Sequence, residues 1–307
     1  MENGGVKHGL GWLRDYPDFR DYNIEKDEIS DKQKAMGVTR TVKDNLAILG
    51  VLDCSVSKLE ASVDLRPWCS PVENQGKLGS CTANAAVGTI EYFERRAFGN
   101  YINGSRLFLY KVSRNLLGWT GDQGAFLRTT MGALVLFGIP PESYWPYDAA
   151  NFDVEPSSFL YAFAQNYRSV NYYRLDQPGI HTDDLLCRIK IDLAAGLPSM
   201  FGFTVFSSID QAETNSGKIP FPATGETIIG GHAVMAVGYD DKMKIKNANP
   251  TANETKGALL IRNSWGPDWG EDGYGWLPYD YVVNSLAVDW WSMIKSDWVD
   301  TKQFGME

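Results

Sequence analysis

The sequence predicts an α+β protein in which a helical lobe precedes a lobe built on antiparallel sheet. Before about residue 165 the apolar residues recur at helical spacing; beyond it they gather into short β-branched and aromatic runs bounded by glycines and turns. Helices first and strands afterwards is the order of an α+β chain.

Residues 1–62 read as an N-terminal extension. "DYPDFRDYNIEKDEISDKQK" (15–34) mixes charge and scattered aromatics without a sustained period. "TVKDNLAILGVL" (41–52) makes a short amphipathic helix with Val42, Leu46, Leu49 and Val51 on one face, and residues 53–62 form a linker. A helix then runs from Thr82 through "TANAAVGTIEYFERRAFG", its small early residues suited to close packing and Gly99 its stop. "SRLFLYKVSRNLLG" (105–118) and "GAFLRTTMGALVLFG" (124–138) are two more helices, the second closed by Gly138, Pro140 and Pro141. "PSMFGFTVFSSI", "GGHAVMAVGYDD", "GALLIRNSWG" and "GYGWLPYDYV" read as antiparallel strands. Residues 240–257 read as a long surface hairpin loop, and the Trp-rich stretch 289–298 as packing on the sheet lobe.

With 307 residues, 44% hydrophobic and 22% charged, the chain has enough apolar surface for one large domain or two lobes. A net charge of −9 without a basic cluster argues against nucleic-acid binding. No apolar run approaches the roughly 18–20 residues that span a bilayer, and the N-terminus lacks the apolar core of a secretory signal. The expected location is therefore the cytoplasm, or export by a non-classical route. Of the four cysteines, Cys54, Cys69, Cys81 and Cys187, no two form a CxxC pair. With only three histidines besides, no metal and no cofactor are expected. Nothing in the spacing points to a disulfide.

The chemistry centres on "ENQGKLGSCTANAA" (73–86), where turn residues lead directly into a helix that begins near Cys81. Unpaired N–H groups and the helix dipole stabilise a thiolate there, although a buried small residue would fit the same place. A nucleophile needs a base, and the base an orienter. His8 lies in the unstructured-looking N-terminus and His181 in the polar stretch "QPGIHTDD"; His232 opens a strand after two glycines, where a side chain is held rigidly. Asn263, in "IRNSWGPDWG", carries an amide able to fix an imidazole tautomer.

In order along residues 63–283, "VENQGKLGSC", "GDQGAF" with "LVLFGIPPESYWPY", "GGHAVMAVGYDD" and "IRNSWGPDWGEDGYGWL" resemble the papain-like cysteine proteases. The resemblance implies a two-lobe fold with a cleft between a helical lobe (about 63–165) and a sheet or barrel lobe (about 166–307). It implies Cys81 as nucleophile, His232 as base and later acid, and Asn263 as orienter. Gln75 and the Cys81 backbone N–H would form the oxyanion hole, and Trp265 would shield the His–Asn bond. Gly124, Ala125, Phe126 and Leu127 on one side, with Gly202 and Ala233 on the other, would line the substrate cleft and favour an apolar or aromatic side chain. The activity implied is peptide hydrolysis through a thioester, on peptide or protein substrates; a thiol acyltransferase or a non-catalytic binding module on the same fold are the alternatives.

Two departures stand out. Leu78 replaces the family's second cysteine, and Asp122 stands at its usual disulfide partner, which fits a reducing environment or a disulfide-poor, prokaryotic-like branch. Family members are commonly zymogens. Here residues within 1–60 are expected to cover the cleft, with "GLGWLRDYPDFRDY" supplying aromatic anchors and cleavage falling within 53–63.

Overall fold

A computed structural model of the protein describes residues 8–19, 21–25, 28–35, 37–52, 59–167 and 171–306. The extension contributes α1 (Asp31–Ala35) and α2 (Val42–Ile48). Thr41 caps α2 in a reciprocal box with Asp44, and Val42, Leu46, Leu49 and Val51 are all buried, so its apolar face docks on the rest of the chain. After β1 (Ser62–Asp64) come α3 (Cys81–Phe98), α4 (Arg106–Leu116) and α5 (Leu127–Phe137), the three helices foreseen. Every residue of α3 from Cys81 to Phe93 is buried, which its small side chains allow.

The second half carries α6 (Ser158–Ala164), β2 (Asn171–Arg174), α7 (Thr182–Ala194), β3 (Ser199–Phe206), β4 (Ile228–Ile245) and β5 (Thr255–Arg262). It ends with β6 (Tyr274–Pro278), α8 (Tyr279–Val283), β7 (Ala287–Ile294) and α9 (Ser296–Val299). The strands pair antiparallel in the order β2-β7-β3-β4-β5-β6, with β1 added on β4. This sheet is open, not the barrel allowed for in sequence. Its core side holds Phe201 stacked on Trp290 at 3.8 Å, with Trp291 and Tyr281 also buried. The Trp-rich stretch is thus largely a core strand.

Three expectations need correction. The 13-residue α7 sits among what reads as strands, because its polar first turn hides the i, i+4, i+8 set Leu185, Ile189, Leu193 that it buries. "GYGWLPYDYV" is a strand only to Pro278, whose fixed φ then opens α8. The hairpin loop after β4 is confined to residues 246–254, since the ladder continues to Ile245↔Thr255. Cys69 and Cys81 are free thiols, whereas Cys187 on α7 is disulfide-bonded, a bridge the cysteine spacing did not point to. Among the described residues no helix is long and apolar enough to cross a membrane.

Candidate active site

Cys81 is the first residue of α3, with Ser80 ahead of it in a non-helical conformation. The backbone N–H groups of Ala233, Gly11, Thr82 and Cys81 itself approach its sulfur. Burial outweighs them and pushes the thiol up to about 11. His232 sits on β4 opposite Phe203 of β3, fully buried. One ring nitrogen, Nε2, lies 2.8 Å from Asn263 Oδ1, just beyond the end of β5. That oxygen also accepts the Ser264 N–H at 2.8 Å, so it is an acceptor and Nε2 carries the proton. The other nitrogen, Nδ1, is buried without a hydrogen-bond partner, a free basic lone pair beside the strand residue whose N–H reaches Cys81. Burial lowers His232 to about 4, with the Asn263 bond opposing and nearby His8 adding to the fall. Trp265 stacks on the imidazole at 4.6 Å and shelters this bond from water.

Gln75 is almost completely buried and held at its backbone N–H by Ser264 O at 2.8 Å. Ser264 Oγ–H donates to Gln75 Oε1, which turns Nε2 toward the cleft. Tyr147 bonds both Ser80 Oγ and Gln75 O and ties that loop to the helix start. At the position of the missing bridge, the Asp122 carboxylate accepts the Gly79 N–H at 2.9 Å and the Tyr110 hydroxyl at 2.5 Å. Charge-assisted hydrogen bonds therefore hold what a disulfide would otherwise staple.

The cleft is filled by the chain's own residues 8–19 and 21–24, a strap running between the helices and the sheet. Gln75 Nε2 donates to Gly9 O at 3.1 Å, and Gly9 N–H to Gly76 O at 2.9 Å. Ala125 N–H donates to Gly11 O at 2.9 Å and Ala125 O accepts Leu13 N–H at 3.2 Å, a parallel bridge centred on Trp12. Trp12 N–H reaches Gly231 O, and its indole lies flat against Gly202 and Gly231. His8 lies on Trp265 at 4.6 Å and faces Glu213 at 3.6 Å, so the N-terminal histidine that looked unstructured is docked beside His232. Gly124 lies directly beneath Gly11 O, Phe126 packs near Trp119 at 5.7 Å, and Leu127 is fully buried in the core. Beyond Trp12, Arg128 of α5 grips Asp15, Asp21 and Tyr16 O, and Arg174 of β2 bonds Asp15 O and Asp176.

Sequence reasoning missed Asp289. It lies fully buried on β7 with φ 63°, where its Oδ2 accepts the Trp12 indole N–H at 3.0 Å and its Oδ1 that of Trp291 at 2.7 Å. No motif marks it; only the fold brings residue 289 beneath residue 12. Burial pushes Asp289 up to about 7, Asp176 adding to the rise and Arg174 opposing it. A raised carboxyl stabilises the fold below the ordinary pKa of 3.8, and that contribution is lost as pH rises through about 7. A lowered imidazole does the reverse: His232 contributes above 6.5, and this is lost as pH falls toward 4. The two oppose each other on acidification. Asp289→Asn, which suits the left-handed backbone, leaves His232 unopposed. Its Tm relative to wild type is expected to fall between pH 8 and pH 4 by at least about 2 °C, measured by thermal denaturation. A constant difference would contradict this account.

The family model for papain family cysteine proteases matches residues 59–285. An uncharacterized peptidase C1-like protein of Acanthamoeba polyphaga mimivirus is 35% identical over 95% of this chain and 88% of its own length. A cathepsin B-like protein of Giardia intestinalis is 29% identical over 82% of this chain and 79% of its own. Among solved structures, xylellain, a cysteine protease from Xylella fastidiosa, is 34% identical and superimposes with a TM-score of 0.71, covering 94% of this chain and 96% of its own. By sequence and by fold, the chain belongs to the papain family of cysteine proteases.

Proposed function

We propose that the chain is an endopeptidase made in a self-covered form, with residues 63–307 as the catalytic domain and the strap in residues 1–62 closing its cleft. The observation that carries this is the Gly9 carbonyl on Gln75 Nε2 while the Gly11 N–H approaches Cys81. The strap sets a peptide carbonyl on the amide that an oxyanion would use.

In the covered chain the thiol is raised and the imidazole lowered, both by burial, so the pair rests neutral. When the strap withdraws, water returns, the helix start favours the thiolate, and the thiol proton passes to His232 Nδ1. The sulfur then attacks a peptide carbonyl, and Gln75 Nε2 and the Cys81 N–H hold the developing oxyanion. His232 delivers its proton to the leaving amine as the C–N bond breaks, leaving a thioester. His232 next takes a proton from water, which attacks the thioester and releases the acid and the thiol. Cleavage of the extension is placed within 53–63, much of which lies outside the described residues.

The test is alkylation of the full chain with a peptidyl epoxide, read by mass spectrometry, with Cys81→Ala as the blank. Labelling is expected at Cys81 alone, and its rate in the covered chain is expected to keep rising with pH through 9–10, following a thiol held near 11. Peptides incubated with the chain are expected to yield free acids even when an amine is added. Transfer to the amine would mark an acyltransferase, and no cleavage by any strap-displaced form would sink the protease reading.

A further inference from the structure

Arg128 is the second residue of α5, and its side chain is 22% exposed in the covered chain. Its Nε donates to Asp21 Oδ1 at 2.6 Å, its Nη2 to Asp21 Oδ2 at 2.8 Å and to Tyr16 O at 2.7 Å, and its Nη1 to Asp15 Oδ2. Among the described residues, every acceptor it reaches belongs to the strap. Arg174 next to it is different: with the strap gone it keeps a two-pronged pair with Asp176 and a contact to Asp289 at 3.4 Å. Withdrawal of the strap takes Asp15 O and Asp21 from Arg174 but leaves it two carboxylates of the sheet lobe, whereas it strips Arg128 of all the acceptors named above. The Trp291 ring lies 5.8 Å beneath the guanidinium, and the first turn of α5 carries no acid to take the place of the strap's carboxylates. A guanidinium left without its acceptors is a binding site for an anion.

We infer that Arg128 is a specificity-determining residue of the open enzyme, binding a carboxylate side chain of the peptide substrate beyond the pocket that Trp12 fills. The spacing follows from the strap. Asp15 lies three residues after Trp12, on the side away from Cys81, so an extended peptide at ~3.3–3.6 Å per residue brings an acid to Arg128 about two to three positions from the residue in that pocket. Asp is favoured over Asn because the fork of N–H donors and the full negative charge are both used. This inference rests on the protease reading above and names the substrate class for that site.

The experiment compares blocked fluorogenic peptides that differ only in Asp or Asn at those positions, cleaved by the full chain and by full-chain Arg128→Gln. In wild type the Asp peptides are expected to show kcat/KM at least about tenfold higher, a ratio that shrinks with added salt. In Arg128→Gln the ratio is expected to fall to about one. Because Arg128 also anchors the strap, the variant raises the rate on both peptides together; the ratio, not the rate, reports the subsite. A wild-type ratio near one, or an unchanged ratio in the variant, overturns the inference. Peptide aldehydes of the same pair are read in parallel by their protection of Cys81 against iodoacetamide, which needs no turnover. Equal protection by the Asp and Asn aldehydes overturns the subsite. Unequal protection without hydrolysis of any peptide upholds it and overturns the protease reading instead. A Cys81 that no reagent reaches overturns both.

Discussion

In a chain whose strap has been displaced, Gln75→Ala is expected to hydrolyse peptides about a hundred- to a thousandfold more slowly in kcat, with little change in KM. Loss of one oxyanion donor raises comparable barriers by about 2.7–4 kcal/mol. Gln75 fits that role because its Nε2 is aimed, not merely near: Ser264 Oγ–H fixes the amide from behind, and among the described residues Nε2 donates only to Leu78 O and the strap's Gly9 O. Gln75→Glu keeps the shape but replaces the donor with an oxygen, so it is expected to lose as much. Single-turnover acylation separates the step from product release. A drop of less than tenfold in both variants would remove Gln75 from the reaction. The displaced background matters, since Gln75 also holds the strap and its loss in the covered chain would slow the chemistry and open the cleft at once.

Gly11→Ala supplies that background. A methyl on Gly11 would lie 1.9 Å from Gly79 O and 2.6 Å from Gly79 Cα, all backbone of the loop that positions Cys81. Neither side can yield: the loop is tied by Gly79 N–H to Asp122, and the strap by Gly11 O to Ala125. Overpacking of this kind costs about 1–3 kcal/mol, so the open fraction is expected to rise roughly five- to a hundredfold. Both peptide hydrolysis and Cys81 alkylation should rise by that factor, and Gly9→Ala, facing Leu78 O at 2.2 Å, should act in the same way. Full-chain Gly11→Ala that labels no faster than wild type would show that the strap does not limit access.

Much of this was legible in the chain. The turn chemistry before Cys81 and the strand after two glycines at His232 are local signals, because a helix start and a strand end are written in a handful of adjacent residues. Asn263 was a candidate orienter on amide chemistry, but Gln75 was legible only through a resemblance, since an amide in a loop carries no signature of what it faces. The strap's anchors were half visible. "GLGWLRDYPDFRDY" offered aromatic anchors, of which Trp12 is buried while Tyr16 and Phe19 stay exposed, and the need for Gly9 and Gly11 against the 76–79 loop depends on a separation of more than sixty residues. Arg128 and Asp289 were invisible for the same reason: each looks like an ordinary charge or core position until a distant segment is laid on it. The helix at 182–194 was missed because neighbouring strands set an expectation that its own polar start did nothing to dispel.

In the self-covered form proposed above, the strap shares one chain with its cleft, and that fixes how the proposed latency responds to dilution. Closure within a single molecule is a first-order event, set by an effective concentration that does not change as the protein is diluted. One cut in the connecting segment makes re-closure second-order, and the same contacts then compete with substrate only in proportion to how much free strap is present. A covered chain would therefore stay quiet at any abundance, whereas a nicked one would wake as it spreads.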